Sequence, residues 1–195
     1  MKKKIFMITL AACLIILSIA STSLAYFTDT DAKSNVFTAG NVGITLTYDT
    51  YTVDAARLYP GQTYGNPATI KNDGTEKAYV GAIINLTVPE GTSFDKVSSI
   101  FTDLSKDPNI IKHVQTATGY TVYVVVDAEL GIGATANIFT NMTIPATWGN
   151  AEMAVLSNFN VNITAYATQT VGFTNATEAL KAAFADNGWA NYPNN

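Results

Sequence analysis

Hydrophobic residues in this chain recur at every second position, and that period commits most of it to β-structure. Val42, Ile44, Leu46 and Tyr48 share one face of a strand, with Gly43, Thr45 and Thr47 on the other. Ala78, Val80, Ala82, Ile84, Leu86 and Val88 form a second apolar face, stopped by Pro89-Glu90-Gly91. Tyr120, Val122, Val124 and Val126 alternate with Thr121, Tyr123 and Val125, so this strand is apolar on both faces and is predicted to be central. Ala136, Ile138, Thr140, Met142 and Ile144 make a fourth, ended by Pro145. Phe159, Val161, Ile163, Ala165 and Ala167 make the last, with Asn158, Asn160, Asn162 and Thr164 facing out. Shorter candidates are Pro67–Lys71 and Ile110–Gln115, and Asn72-Asp73-Gly74-Thr75 reads as a hairpin turn.

Two stretches switch to helical spacing. Phe94, Val97, Phe101 and Leu104 line one face behind Ser93 as N-cap, with Pro108 closing the region. Asn175 and Glu178 have capping-box spacing ahead of Ala179, Leu180, Ala183 and Phe184, and Gly188 ends that helix. About seven strands with two short helices predict an all-β fold, a jelly-roll-like β-sandwich.

Ahead of the strands lies MKKKIFMITLAACLIILSIASTSLA. Three lysines, an apolar run from Ile5 to Ala20 and a small-residue end at Ser23-Leu24-Ala25 have the pattern of a cleaved signal peptide. The expected organisation is a signal peptide over 1–25, an N-terminal segment and joint over 26–40, and a sandwich with a C-terminal helix over 41–195. Leu10-Ala11-Ala12-Cys13 also has the outline of a lipobox, but apolar residues continue after Cys13, which argues against lipidation. No Leu-Pro-x-Thr-Gly signal or second long apolar run follows, so contact with a membrane is expected only before the leader is cut.

The leader's lysines are three of the chain's 11 basic residues, leaving 8 against 15 acidic, or −7. Such a surface is wrong for nucleic acid or anionic lipid. Charged residues make up only 13% of the chain, where about a quarter is usual, which suits a protein that packs against neighbours. Cys13 is the one cysteine, so the part after Ala25 has neither a disulfide nor thiolate chemistry.

His113 is the one histidine, which excludes a pair of imidazoles on one helical turn. No Gly-x-Ser-x-Gly elbow accompanies it, and Asp29 and Asp31 have no further acids at Ca²⁺-loop spacing. The residues predict no catalytic site, metal or cofactor. Asn85, Asn141, Asn162 and Asn175 begin N-x-Thr sequons, as expected by chance in an Asn/Thr-rich chain. Tyr48, Tyr51, Tyr59 and Tyr64 cluster near a loop and are candidates for stacking on sugars, which would make the protein a monomeric surface adhesin.

Cleavage after Ala25 would leave Tyr26-Phe27 at a new terminus, and aromatic termini need something to hold them. Tyr26, Thr28, Thr30, Ala32, Ser34, Val36 and Thr38 share one uncharged face. Phe27, Asp29, Asp31, Lys33, Asn35 and Phe37 share the other, and Ala39-Gly40 offers a hinge. Such a segment is either the first edge strand of its own domain or a strand added to the sheet of another subunit. In the second case Tyr26 and Val36, once buried, would each contribute about 1.5–3 kcal/mol.

A leader followed by Tyr26-Phe27-Thr28-Asp29, then Lys33-Ser34-Asn35-Val36-Phe37-Thr38-Ala39-Gly40 and a strand, resembles the TasA/camelysin family of Gram-positive exported proteins. Leu58-Tyr59-Pro60-Gly61-Gln62, Ile70-Lys71-Asn72-Asp73-Gly74-Thr75 and the run from Phe159 through Gly172-Phe173 extend the resemblance; residues 90–131 do not. The resemblance implies processing by a signal peptidase of SipW type and secretion to the cell surface. It also implies head-to-tail self-assembly into biofilm-matrix fibres by donor-strand exchange, with a minor fibre or anchoring subunit as a further candidate partner. Tyr26, Phe27, Thr28, Thr30, Ala32, Val36 and Phe37 are then the assembly residues. Some family members are described as metallopeptidases, an activity that the missing zinc ligands do not support here.

Overall fold

The computed structural model describes residues 28–31, 42–48, 59–65 and 67–194; the side chains of 28–31 and of Asn158 are outside that description. The strands are β1 (Thr28–Asp31), β2 (Ile44–Thr47), β3 (Thr63–Tyr64), β4 (Ala68–Asn72), β5 (Ala78–Thr87), β6 (Phe101–Thr102), β7 (Asn109–Thr116), β8 (Gly119–Val126), β9 (Thr135–Phe139), β10 (Asn141–Thr143) and β11 (Asn160–Gln169). They form a five-stranded sheet, β1-β11-β5-β8-β7, and two three-stranded sheets, β2-β4-β9 and β3-β10-β6. All named pairs are antiparallel, so the expected all-β sandwich is what the chain builds.

One core lies between the layers. Ala82, Ile84, Leu86, Val122, Val124, Ala165 and Ala167 from the large sheet meet Ile44, Ile70, Ile138 and Phe139 from the β2-β4-β9 sheet. The period-two pattern put these side chains on one face of each strand, and burying each large one contributes about 1.5–3 kcal/mol. β8 is central as its two apolar faces predicted: it pairs with β5 and β7, and every residue but Thr121 is buried.

The second face of β8 is covered by the C-terminal region. The helix α3 (Ala176–Ala183) and the 3₁₀ turns Ala185–Asn187 and Trp189–Asn191 lie over Tyr79, Ile83, Tyr123, Val125 and Tyr166. Gly81 is required at this contact. A Cβ there would come within 2.7 Å of Leu180 Cδ1 and 2.9 Å of Trp189 Cη2.

Several local expectations need correction. The predicted helix beginning at Phe94 is only α1 (Phe94–Ser98), capped by Ser93 Oγ, which accepts from the Lys96 N–H at 3.4 Å. Phe101 continues as a strand instead of a helical turn, because its N-terminal neighbour Ile100 and Phe101 are both buried against the core. The strand expected over Ala136–Ile144 breaks at Thr140 into β9 and β10, which join different sheets. A further short helix, α2 (Asn150–Met153), was not foreseen.

Asn72-Asp73-Gly74-Thr75 is a turn but no hairpin: it carries the chain from β4 in one sheet to β5 in the other. Asn72 holds this arch. Its Oδ1 accepts from the Gly74 N–H at 2.9 Å, and its Nδ2 donates to Glu76 O at 2.8 Å and Leu130 O at 2.9 Å. The tight hairpin is instead β7–β8, where Thr116 faces Gly119 across two residues. Gly119 has φ +151°, and a Cβ there would meet Leu86 O at 1.9 Å.

Candidate functional site

The N-terminal segment enters the described structure as β1, four residues at the edge of the large sheet. Its pairing is antiparallel to β11, with Thr28 opposite Thr168, Asp29 opposite Ala167, Thr30 opposite Tyr166 and Asp31 opposite Ala165. Ala165 and Ala167 belong to the sandwich core, whereas Tyr166 belongs to the cluster under the C-terminal cap. The odd positions Asp29 and Asp31 therefore register with the inner row. That is the opposite parity from the one in which an uncharged face would meet the core.

β11 is ten residues long and is paired to β5 along its full length. On its other side, β1 reaches only Ala165–Thr168. Among the described residues nothing pairs with Asn160–Thr164 on that side. The inner row continues there through Ile163, 8% exposed, to the half-buried Val161 and Phe159. The Phe159 ring sits 6.2 Å from Phe101. Among the described residues, that stretch of backbone edge is flanked by apolar side chains and adjoins the short strand β1.

Of the residues expected to take part in assembly, Thr28 and Thr30 lie in β1. Tyr26, Phe27, Ala32, Val36, Phe37, the hinge Ala39-Gly40 and the cleavage residues Ser23 and Ala25 lie outside the described residues. The loop tyrosines do not gather as a sugar platform among the described residues. Tyr48 meets Phe139 edge-on at 6.1 Å, and burial pushes its phenol up to about 12. Tyr59 is 61% exposed, Tyr64 is packed against the core, and Tyr51 lies outside the description.

His113 is on β7, the opposite edge of the same sheet. Its ring stacks on Phe94 at 3.7 Å and meets Tyr120 edge-on at 5.8 Å. Tyr120 is itself anchored by donating its hydroxyl hydrogen to Thr92 O at 2.7 Å. The histidine is thus part of an aromatic stack that ties α1 to the sheet edge.

A cavity of about 320 Å³ opens between the β6–β7 and β8–β9 connections. Its polar walls are largely committed: Thr140 Oγ1 donates to Asp103 at 3.0 Å, Glu129 pairs with Lys77 at 2.8 Å, and Asn109 Nδ2 donates to Leu104, Asn137 and Ile138 carbonyls. The aromatic cap was the larger omission of the sequence reading. Trp189 and Tyr192 follow Gly188, where helical periodicity has ended, so no spacing rule pointed to them. Yet Trp189 is fully buried, and Tyr123 and Tyr166 hydroxyls donate to Gly188 O and Asn187 O, both at 3.2 Å.

Residues 1–89 match the family model described as camelysin metallo-endopeptidase, which supports the TasA/camelysin resemblance read from the motifs. No curated protein and no solved structure matches the chain. The family description implies a metal, and the residues here do not fit one. The chain has a single imidazole, which is stacked on Phe94, and no three His, Cys, Asp or Glu come together among the described residues.

Proposed function

We propose that this chain, whose first 89 residues match the camelysin family model, is an exported structural subunit of TasA-like type. It polymerises into extracellular biofilm-matrix fibres by lending its N-terminal segment to the next subunit. The family match supports an extracellular TasA-like protein in general. The observation that carries the finer reading is the pairing of β1: a four-residue strand at the sheet edge, beside a ten-residue strand that it only partly covers.

Strand exchange needs such a strand to be detachable and its tether to be long. Among the described residues, β1 is bonded through one backbone ladder on one side only. The residues 32–43 that separate it from β2 can span up to about 40 Å when extended, enough to reach a neighbouring sandwich. The buried core side chains of β4, β5, β8, β9 and β11 come from strands other than β1, so a subunit that gives up the strand is expected to keep its fold. Exchange of an identical element between copies then propagates as an open head-to-tail filament. Processing by a SipW-type peptidase would free the segment, and a minor or anchoring subunit would start or tether the fibre.

Electron microscopy of the mature chain beginning at Tyr26, beside one beginning at Ala39, tests this. The expected result is filaments from the first and none from the second, with both unfolding cooperatively on heating. Filaments of equal abundance from the shorter chain would overturn the proposal.

A further inference from the structure

We infer that the Asn187-Gly188 peptide is a self-modification site: the Asn187 side chain closes to a succinimide, opens chiefly to isoaspartate, and so unfastens the aromatic cap over the large sheet. The reaction needs no enzyme and no co-reactant but water. The Gly188 backbone nitrogen attacks Cγ of Asn187. The N–Cγ bond forms, the Cγ–Nδ2 bond breaks, and the amide leaves as ammonia, taking the proton from the Gly188 nitrogen. Water then opens the ring at either carbonyl, giving aspartate or isoaspartate.

Three observations select this position. A side chain on the following residue obstructs the attack, and glycine has none. Of the chain's asparagines, only Asn187 precedes a glycine. Asn187 is exposed and lies at the joint between the 3₁₀ turns Ala185–Asn187 and Trp189–Asn191. The attacking Gly188 N–H donates to Ala185 O at 3.4 Å. That exceeds the roughly 2.7–3.2 Å usual for such a bond, so local opening frees the nitrogen at small cost. Asn72 is the contrast: it precedes Asp73, is completely buried, and its amide is committed to Gly74, Glu76 and Leu130. Asn175 precedes Ala176, and its Oδ1 is engaged by the Glu178 N–H at 2.8 Å.

The same peptide fastens the cap. The Tyr166 hydroxyl donates to Asn187 O and the Tyr123 hydroxyl to Gly188 O, each at 3.2 Å. In isoaspartate the main chain runs through Cβ and Cγ of residue 187. The carbonyl that Tyr166 binds becomes part of a free carboxylate, and the chain ahead of Gly188 grows by a methylene. Trp189, the next residue, is completely buried against Tyr123 and Tyr166, so the indole or the turn must move to take up the added length. The face beneath, which includes Tyr79, Ile83 and Val125, thus opens as the protein ages, without a protease.

The purified protein and its Asn187→Gln variant are aged in parallel at mildly alkaline pH, which favours loss of the attacking nitrogen's proton. Glutamine keeps the backbone carbonyl that Tyr166 binds but closes its larger ring far more slowly. Peptide mass mapping reads deamidation at each asparagine, and an isoaspartyl methyltransferase reads isoaspartate. Near-ultraviolet circular dichroism and the melting temperature read the cap. The expected result is deamidation at Asn187 at least about tenfold faster than at any other asparagine, with isoaspartate the larger product. The aged parent then loses near-ultraviolet signal and melts below the fresh protein, and the aged variant does neither. Deamidation at Asn187 no faster than elsewhere overturns the site. Fast deamidation there with the circular dichroism and melting unchanged overturns the coupling to the cap, as does an equal loss in the aged Asn187→Gln variant.

Discussion

Asn72 shows how one side chain can set a topology. It is completely buried, and its amide bonds three backbone groups on two sides of the sandwich. Truncation would remove one of two hydrogen bonds at each of the Leu130 carbonyl and the Gly74 N–H, which keep only Ala78 N–H and Gly43 O as partners. Asn72→Ala is expected to cost about 1–3 kcal/mol in urea denaturation, more than a surface Asn would. Glu178 is the charged counterpart. Its carboxylate accepts from the Thr174 hydroxyl at 2.6 Å and from the Thr174 N–H at 3.2 Å, bonds that lower its pKa from the usual 4.5. A carboxylate lowered by folding stabilises the native state above its unfolded pKa, and that contribution is lost as pH falls through the lowered folded value. Glu178→Gln should therefore lower the melting temperature at pH 7, and the difference from the parent should vanish in strong acid, as a thermal scan across pH would show.

Elements differ in how plainly their residues announced them. Alternation located β5, β8 and β11 because each is long, and a long run leaves only one parity for the core. It could not foresee the break at Thr140. β9 and β10 keep the same alternation while pairing with different sheets, and pairing partners leave no mark on period. The Asp73-Gly74 turn was legible as a turn, but whether it returned the chain to the same sheet depended on Asn72 reaching Leu130, 58 residues away. The Asn175 cap was legible from spacing, and its Oδ1 does accept from the Glu178 N–H at 2.8 Å, although Glu178 reaches back to Thr174. For the N-terminal segment, the two parities could be read from sequence; the strand that Thr28–Asp31 lies against could not. The C-terminal cap is the element whose energetic weight was least visible. Trp189 packs edge-on to Tyr123 at 5.6 Å and to Tyr166 at 5.7 Å, and its Nε1–H has no hydrogen-bond partner among the described residues. Its role is apolar burial, so Trp189→Ala is expected to cost about 3–5 kcal/mol and to flatten the near-ultraviolet circular dichroism.

At the scale of the whole molecule, a chain whose single cysteine is Cys13 closes one core between its sheets and a second beneath its C-terminal cap. The cap shields the outer face of the large sheet. The two edges of the large sheet are also unlike. β7 is fully laddered to β8 and braced by the His113–Phe94 stack, whereas the other edge is, among the described residues, the four-residue β1 alongside Ala165–Thr168 of β11.

β1 runs antiparallel to β11 and leaves from one edge only. In a fibre built by the proposed exchange, the two ends would differ: one terminal molecule would offer an empty acceptor, and the other would hold a tail that it has not donated. A molecule that can receive but has no tail to give would act as a chain terminator, so a few would set the length of many fibres. Length control would need no separate capping protein, only a proteolytic nick near residue 40.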